Sequence, residues 1–246
     1  MKLANLGAAG LLMTLNVVGS AVASQQPAAG AGAARFEVTS IKAVRPTLVN
    51  TIAALQKKDA AGARAAFEAF DSGWNGIEVY ISTRYPDAYK ELEGGYQARI
   101  IEGLRAANPD TAGLVADAKA MLAKFDETVT MIEKAAPLNR LYDDVARLRI
   151  VRAHLREVTP ALKAGNTDKA RKSFDAFNDN WDSIEDLVSE RSRDAYVAIE
   201  SGMIEIERAL MPTAPDVDQV ISLVRGVSDR YNAIVAQVTK DAQNRK

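Results

Sequence analysis

Apolar positions recur along most of this chain every three to four residues, the period of an α-helix that turns one face to a core. Phe67, Phe70, Trp74, Ile77 and Ile81 share one helical arc, and Tyr89, Leu92, Tyr96, Ile100 and Leu104 share another. No alternating β-branched run bounded by turn residues is present, so no strands are expected. Punctuation divides the pattern into eight helices, near 39–57, 60–83, 86–106, 110–134, 140–164, 167–191, 193–211 and 216–240. Asp59 and Asn166 suit N-caps, Pro86 a first turn, and Asn108-Pro109 and Pro215 helix starts. Pro160 predicts a kink near the end of the fifth helix. The expected class is all-α, with short connections favouring antiparallel, up-down bundles.

The pattern occurs twice. FEAFDSGWNGIEVYISTRYPDAYKELEGG at 67–95 returns without a gap as FDAFNDNWDSIEDLVSERSRDAYVAIESG at 174–202, a displacement of 107. Identities include Phe67/Phe174, Phe70/Phe177, Trp74/Trp181, Ile77/Ile184, Glu78/Glu185, Arg84/Arg191, Asp87/Asp194, Tyr89/Tyr196 and Glu93/Glu200. Val44/Val151, Arg45/Arg152 and Leu55/Leu162 extend the match upstream. Downstream, after one deletion, Pro109/Pro215 and Asp110/Asp216 align. Both tryptophans of the chain fall at one repeat position. The sequence therefore predicts a tandem duplication of an antiparallel four-helix unit, repeat 1 at 36–138 and repeat 2 at 139–246. Whether the copies form two bundles or one continuous body stays open at this level.

The first residues read as an export signal, 1–23. Lys2 supplies a positive start, Leu6 to Val18 an apolar stretch broken by Thr14 and Asn16, and Ala21-Val22-Ala23 a small-residue cleavage site. An uncleaved anchor is the alternative, although the stretch is short for a span of about 20 residues. An Ala/Gly/Gln tether at 24–35 follows. These features predict a periplasmic protein, soluble after cleavage and not itself integral to a membrane.

Composition removes several chemistries. The chain has no cysteine and one histidine, His154, so thiol catalysis, disulfides and cysteine-rich metal sites are excluded. No Gly-x-Ser-x-Gly accompanies His154. The 31 basic and 32 acidic residues are interspersed, which argues against nucleic acid as a partner. An enzyme is not expected.

Against this background the interior glutamates stand out. Glu78 borders the apolar arc of the second helix and Glu93 falls inside that of the third; Glu185 and Glu200 repeat them. A reversal near Tyr85 sets Glu78 and Glu93 at one level across antiparallel helices, and a reversal near Ser192 does the same for Glu185 and Glu200. Paired half-buried carboxylates need a cation, a shared proton or a basic partner. Structural ion pairs are one resolution, with Arg45/Arg152 and Lys124/Arg230 as candidate partners. A hard divalent cation or iron, held by Glu78, Glu93, Glu185 and Glu200, is the other. The absence of Glu-x-x-His argues against a redox di-iron centre. Trp74/Trp181 and Tyr89/Tyr196 read as core aromatics, and Arg84/Arg191 as residues closing the interhelical turn.

The stretches 67–104 and 174–211, the second overlapping AGNTDKARKSFDAFNDNWDSIEDLVSERSRDAYVAIESGMIEIERAL, resemble the helical extracytoplasmic domain of bacterial high-affinity, oxidase-coupled iron permeases. The similarity covers about 45 residues of each copy, and the permease's membrane part has no counterpart here. The resemblance implies a free-standing, non-enzymatic periplasmic accessory to iron or divalent-cation uptake, with a membrane permease or another envelope protein as partner. On that view the four glutamates bind metal. A metal-free protein-interaction module and a small-ligand sensor bundle are the rival expectations.

Overall fold

A computed structural model describes residues 35–245. The export-signal reading of 1–23, and all of the tether but its last residue, lie outside the described residues. The described chain is all-α and contains no strand. The first half comprises α1 (Phe36–Gln56), α2 (Ala60–Arg84), α3 (Pro86–Lys90), a π-helical segment (Glu91–Gln97), α4 (Ala98–Arg105) and α5 (Thr111–Lys134). The second comprises α6 (Leu141–Lys163), α7 (Thr167–Trp181), α8 (Glu185–Arg191), α9 (Arg193–Leu210) and α10 (Val217–Asn244).

The helix starts follow from side chains that satisfy the free N–H groups of a first turn. Asp59 accepts from the Gly62 N–H at 2.8 Å and Asn166 from that of Lys169 at 2.9 Å, as expected. The fourth and last starts are capped one residue past the prolines, by Asp110 and Asp216. Pro86 occupies the first turn of α3, while α6 runs on through Pro160 to Lys163.

In the first half α1 packs on α2 and α5, and α5 on the π-helical segment and α4. In the second, α6 packs on α7 and α10, and α9 on α8 and α10. Aromatic packing recurs between the halves. Phe70 lies 5.9 Å from Trp74 and meets Phe125 edge-on at 6.2 Å; Phe177 lies 6.0 Å from Trp181 and meets Tyr231 edge-on at 5.9 Å. All six rings are buried. Each such burial is worth roughly 1.5–3 kcal/mol.

The halves join through α2 and α6 into one body with a continuous apolar core. Gly76 lets the helices close, since a Cβ there would meet Cγ1 of Ile150 at 2.4 Å. Val79 and Tyr80 are buried beside it. The Tyr80 hydroxyl donates to Asp143 at 2.7 Å, and the Arg156 guanidinium to Asn75 at 2.8 Å. At the matching positions stand Ser183, between α7 and α8, and Asp186 and Leu187 of α8, of which the first two are exposed. No described helix packs on α7 and α8 as α6 packs on α2.

Two helices differ from expectation. The helix expected over 167–191 breaks at 182–184, where the Ser183 and Asn180 side chains donate to backbone carbonyls. Asn, Asp and Ser compete for the backbone in this way and weaken helices. The equivalent stretch of α2 is no better a helix former but stays continuous, because α6 packs along it. The helix expected over 86–106 contains the π-helical turn. Buried Leu92 and Gln97 are five residues apart, whereas buried Ile199 and Met203 are four apart. Beyond that turn Ile100 matches Ile206 and Leu104 matches Leu210, a displacement of 106 instead of 107. The extra residue of the first half therefore sits inside a helix, and the wider turn keeps later apolar residues on the core.

Candidate functional site

The four glutamates all lie at half-buried positions, but their surroundings differ. In the first half α2 presents Trp74 and Glu78 one turn apart, and the π-helical segment presents Glu93. The Trp74 indole N–H donates to Glu93 at 3.2 Å, bridging the second and third helical arms. The Tyr89 ring stacks on Trp74 at 6.2 Å, nearly parallel. Glu93 lies beside Glu78, and the two carboxyls interact, as the matched distances from the turn predict. Burial pushes the Glu78 carboxyl above the usual range; Arg149 opposes this and Glu93 adds to it. Tyr89 is also pushed up, by burial and by the neighbouring Glu93 and Glu78 carboxyls.

The basic partner of Glu78 is Arg149, at 2.8 Å. Arg149 sits on α6 and so comes from the other half of the chain. None of the four expected partners serves this role. Arg45 pairs with Asp126 at 2.7 Å, and Arg152 donates to Asn232 at 3.0 Å. Lys124 pairs with Glu91 and Glu127, and Arg230 donates to the Gly226 carbonyl. Arg84 and Arg191 do more than close turns. Arg84 pairs with Glu37 of α1, and Arg191 with Asp241 of α10 at 2.8 Å.

The second half repeats the frame without the cation. The Trp181 indole N–H donates to Glu200, and the Tyr196 ring stacks on Trp181 at 6.2 Å. The Tyr196 hydroxyl makes a long contact to Glu185 at 3.4 Å. Burial raises the Tyr196 hydroxyl, with Glu200 and Glu185 contributing. Among the described residues no lysine or arginine forms an ion pair with Glu185 or Glu200. Arg193 lies over the Tyr196 ring, 4.7 Å from its centre, without pairing with either carboxylate.

As metal ligands the four glutamates do not come together. Among the described residues no group of three or more histidine, cysteine, aspartate or glutamate side chains is placed to hold a metal ion. One pair is held by Trp74 and Arg149, and the other by Trp181 and Tyr196 without a cation. Two further grooves lie at matched places, of about 170 Å³ beside Arg64, Phe67 and Glu68 and about 230 Å³ beside Arg171, Phe174 and Asp175. Both are smaller than usual small-molecule pockets of roughly 300–1,000 Å³. Two of the arginines lining them are engaged, Arg64 with the Leu104 carbonyl and Arg171 with those of Leu210 and Pro212. His154 is half-buried, and burial lowers its pKa.

Sequence reasoning located the glutamates but missed Arg149, and it read the tryptophans only as core. The signal for the second point was available: Trp74/Glu93 and Trp181/Glu200 keep the same separation of 19 residues in both copies. No protein-family model matches the chain, and no curated protein or solved structure is significantly similar to it.

Proposed function

We propose that the chain is a non-enzymatic helical scaffold that acts by binding another protein, built from two copies of one four-helix unit, and that its inward glutamates are primarily structural struts. The observation that carries this reading is the recurrent indole-to-carboxylate hydrogen bond, Trp74 to Glu93 and Trp181 to Glu200, which ties the second and third helical arms in each half. A carboxylate that accepts from a half-buried N–H is satisfied without a metal. On the export reading of 1–23, the scaffold works outside the cytoplasm. Thermal melts and metal titrations of the mature protein test this. Glu93→Gln and Glu200→Gln are expected to lower the melting temperature by a few degrees, at about 2–4 °C per kcal/mol for a chain of this size. Calorimetric titration with Fe, Mn, Cu or Zn is expected to give no saturable heat. Saturable metal binding that Glu185→Gln or Glu200→Gln abolishes, with no change in melting, would overturn it.

The second reading is a periplasmic accessory to iron or divalent-cation uptake that works with an envelope permease. One observation favours it: Glu185 and Glu200 are half-buried on either side of Trp181 and Tyr196 and no arginine neutralises them. A hard cation entering this chain would meet its carboxylates there.

A further inference from the structure

The two halves carry the same aromatic and carboxylate frame, yet only in the first does a glutamate of the frame form an ion pair. In the first half, α6 lies against α2 and delivers the Arg149 guanidinium to Glu78 at 2.8 Å. A guanidinium suits such a carboxylate, since its N–H groups match the carboxylate oxygens. In the second half Arg193 lies over the Tyr196 ring but pairs with neither carboxylate. In the second half, Glu185, Trp181, Tyr196 and Glu200 repeat the frame, and the helix that would correspond to α6 is missing from the described chain.

The surface around the second frame shows what it would accept. Asp175, Asp179, Asp182, Asp186 and Glu190 recur at three- and four-residue spacing along α7 and α8. All five are exposed, and among the described residues none forms an ion pair. The matching residues of α2 are Glu68, Ser72, Asn75, Val79 and Thr83, so acids stand where the seam with α6 has mostly neutral residues. A second copy of this chain is a poor complement. Its α1 would bring Lys42 to the position of Arg149, but Lys42 is held by Glu133 and its neighbours are Ala43 and Pro46.

We infer that the α7–α8 face is a docking surface for a basic helix of another protein, and that an arginine of that helix pairs with Glu185 as Arg149 pairs with Glu78. This inference deepens the scaffold reading above and rests on it. The acidic stripe steers the partner's lysines and arginines, and the frame fixes register.

Tryptophan emission tests it, because each frame contains one of the two indoles. Mature Trp74→Phe protein, which reports only Trp181, is titrated with a 20-residue alanine-based helical peptide rich in lysine and arginine, and with its glutamine-substituted equivalent. The expected result is a saturable change in Trp181 emission with the basic peptide alone, weakened by salt. Glu185→Gln should weaken it by roughly tenfold or more, the order seen when one member of a hydrogen-bonded charge pair is truncated. Trp181→Phe protein should stay silent, since Arg149 already pairs with Glu78 beside Trp74. If Trp74→Phe fails to fold, ¹⁹F spectra of 5-fluorotryptophan-labelled wild type resolve the two indoles instead. Four results would each overturn the inference: no response of Trp181, equal responses of both indoles, binding unaffected by Glu185→Gln, or a Trp181 response explained by self-association in sedimentation. Competition by Mn²⁺ at micromolar concentration would move the frame to the metal reading. The melting test of the struts uses no peptide, so a silent Trp181 removes this inference and leaves that test standing.

Discussion

Removing a single residue from the third helical arm should have opposite consequences in the two halves. In α9, deletion of Ser201 turns everything after it by about 100° relative to what precedes it. Met203, Ile206 and Leu210, all buried, would leave the core. At roughly 1.5–3 kcal/mol for each side chain the loss is about 5–9 kcal/mol, comparable to the whole stability of an ordinary domain. In the first half the chain already holds one residue more between Leu92 and Gln97 than the second half holds between Ile199 and Met203. Deleting Gly94 lets the π-helical turn relax to an α-helical one, while Ile100 and Leu104 keep their places. Gly94 is exposed and a side chain there would touch nothing within 4 Å, so no packing is lost. Loss of a helical glycine is itself favourable by about 0.5–1 kcal/mol. Circular-dichroism melts of the two deletions decide the matter. The Gly94 deletion should melt within about 4 °C of the parent, and the Ser201 deletion should be unfolded or melt more than about 10 °C lower. Equal damage from both would refute the assignment of the π-helical turn as the seat of the extra residue.

Gly76→Val should cost about 1–3 kcal/mol by forcing α2 from Ile150, whereas Ser183→Val at the matching exposed position should change stability by less than about 0.5 kcal/mol; denaturant melts compare them. Glu37→Ala should be severe, about 3–5 kcal/mol in the same assay, because it strips the partner from Arg84, a nearly buried guanidinium that Glu37 holds together with Arg35. The Glu78 carboxyl has a folded pKa above its ordinary value of 4.5, so the native state holds this proton more tightly than the unfolded chain. Its contribution to stability therefore rises as pH falls from neutral through the folded pKa and levels off below 4.5. Melts from pH 7 to 4.5 should show wild type gaining on Glu78→Gln as the solution is acidified, and a constant difference would remove the claim.

Much of the fold was legible because helical periodicity and the recurring sequence pattern reinforce each other. Phe67, Phe70, Trp74 and Ile77 define a buried face once, and Phe174, Phe177, Trp181 and Ile184 define it again. The level at which Glu78 and Glu93 meet followed from counting residues to the turn at Tyr85. Arg149 was not legible, because it lies 71 residues from Glu78 and approaches only when α6 packs across α2. Local spacing holds no information about that docking. The register change from 107 to 106 was visible, but a length difference is ordinarily assigned to a loop, and only the burial of Leu92 and Gln97 locates it within a helix. The break after Trp181 depends on what fails to pack there, since Asp182 and Ser183 differ little in helix propensity from Asn75 and are better helix formers than Gly76.

The contact between α2 and α6 also decides what can exist by itself. Cutting the chain between α5 and α6 would leave the first half with Val79, Tyr80 and the flat notch at Gly76 bathed in water, and an apolar strip of that kind invites clumping. The second half would lose Tyr80 from Asp143 and Glu78 from Arg149, stranding a guanidinium that is largely shielded from solvent. Neither piece should fold by itself, and heat should melt both in a single step although the sequence pattern recurs.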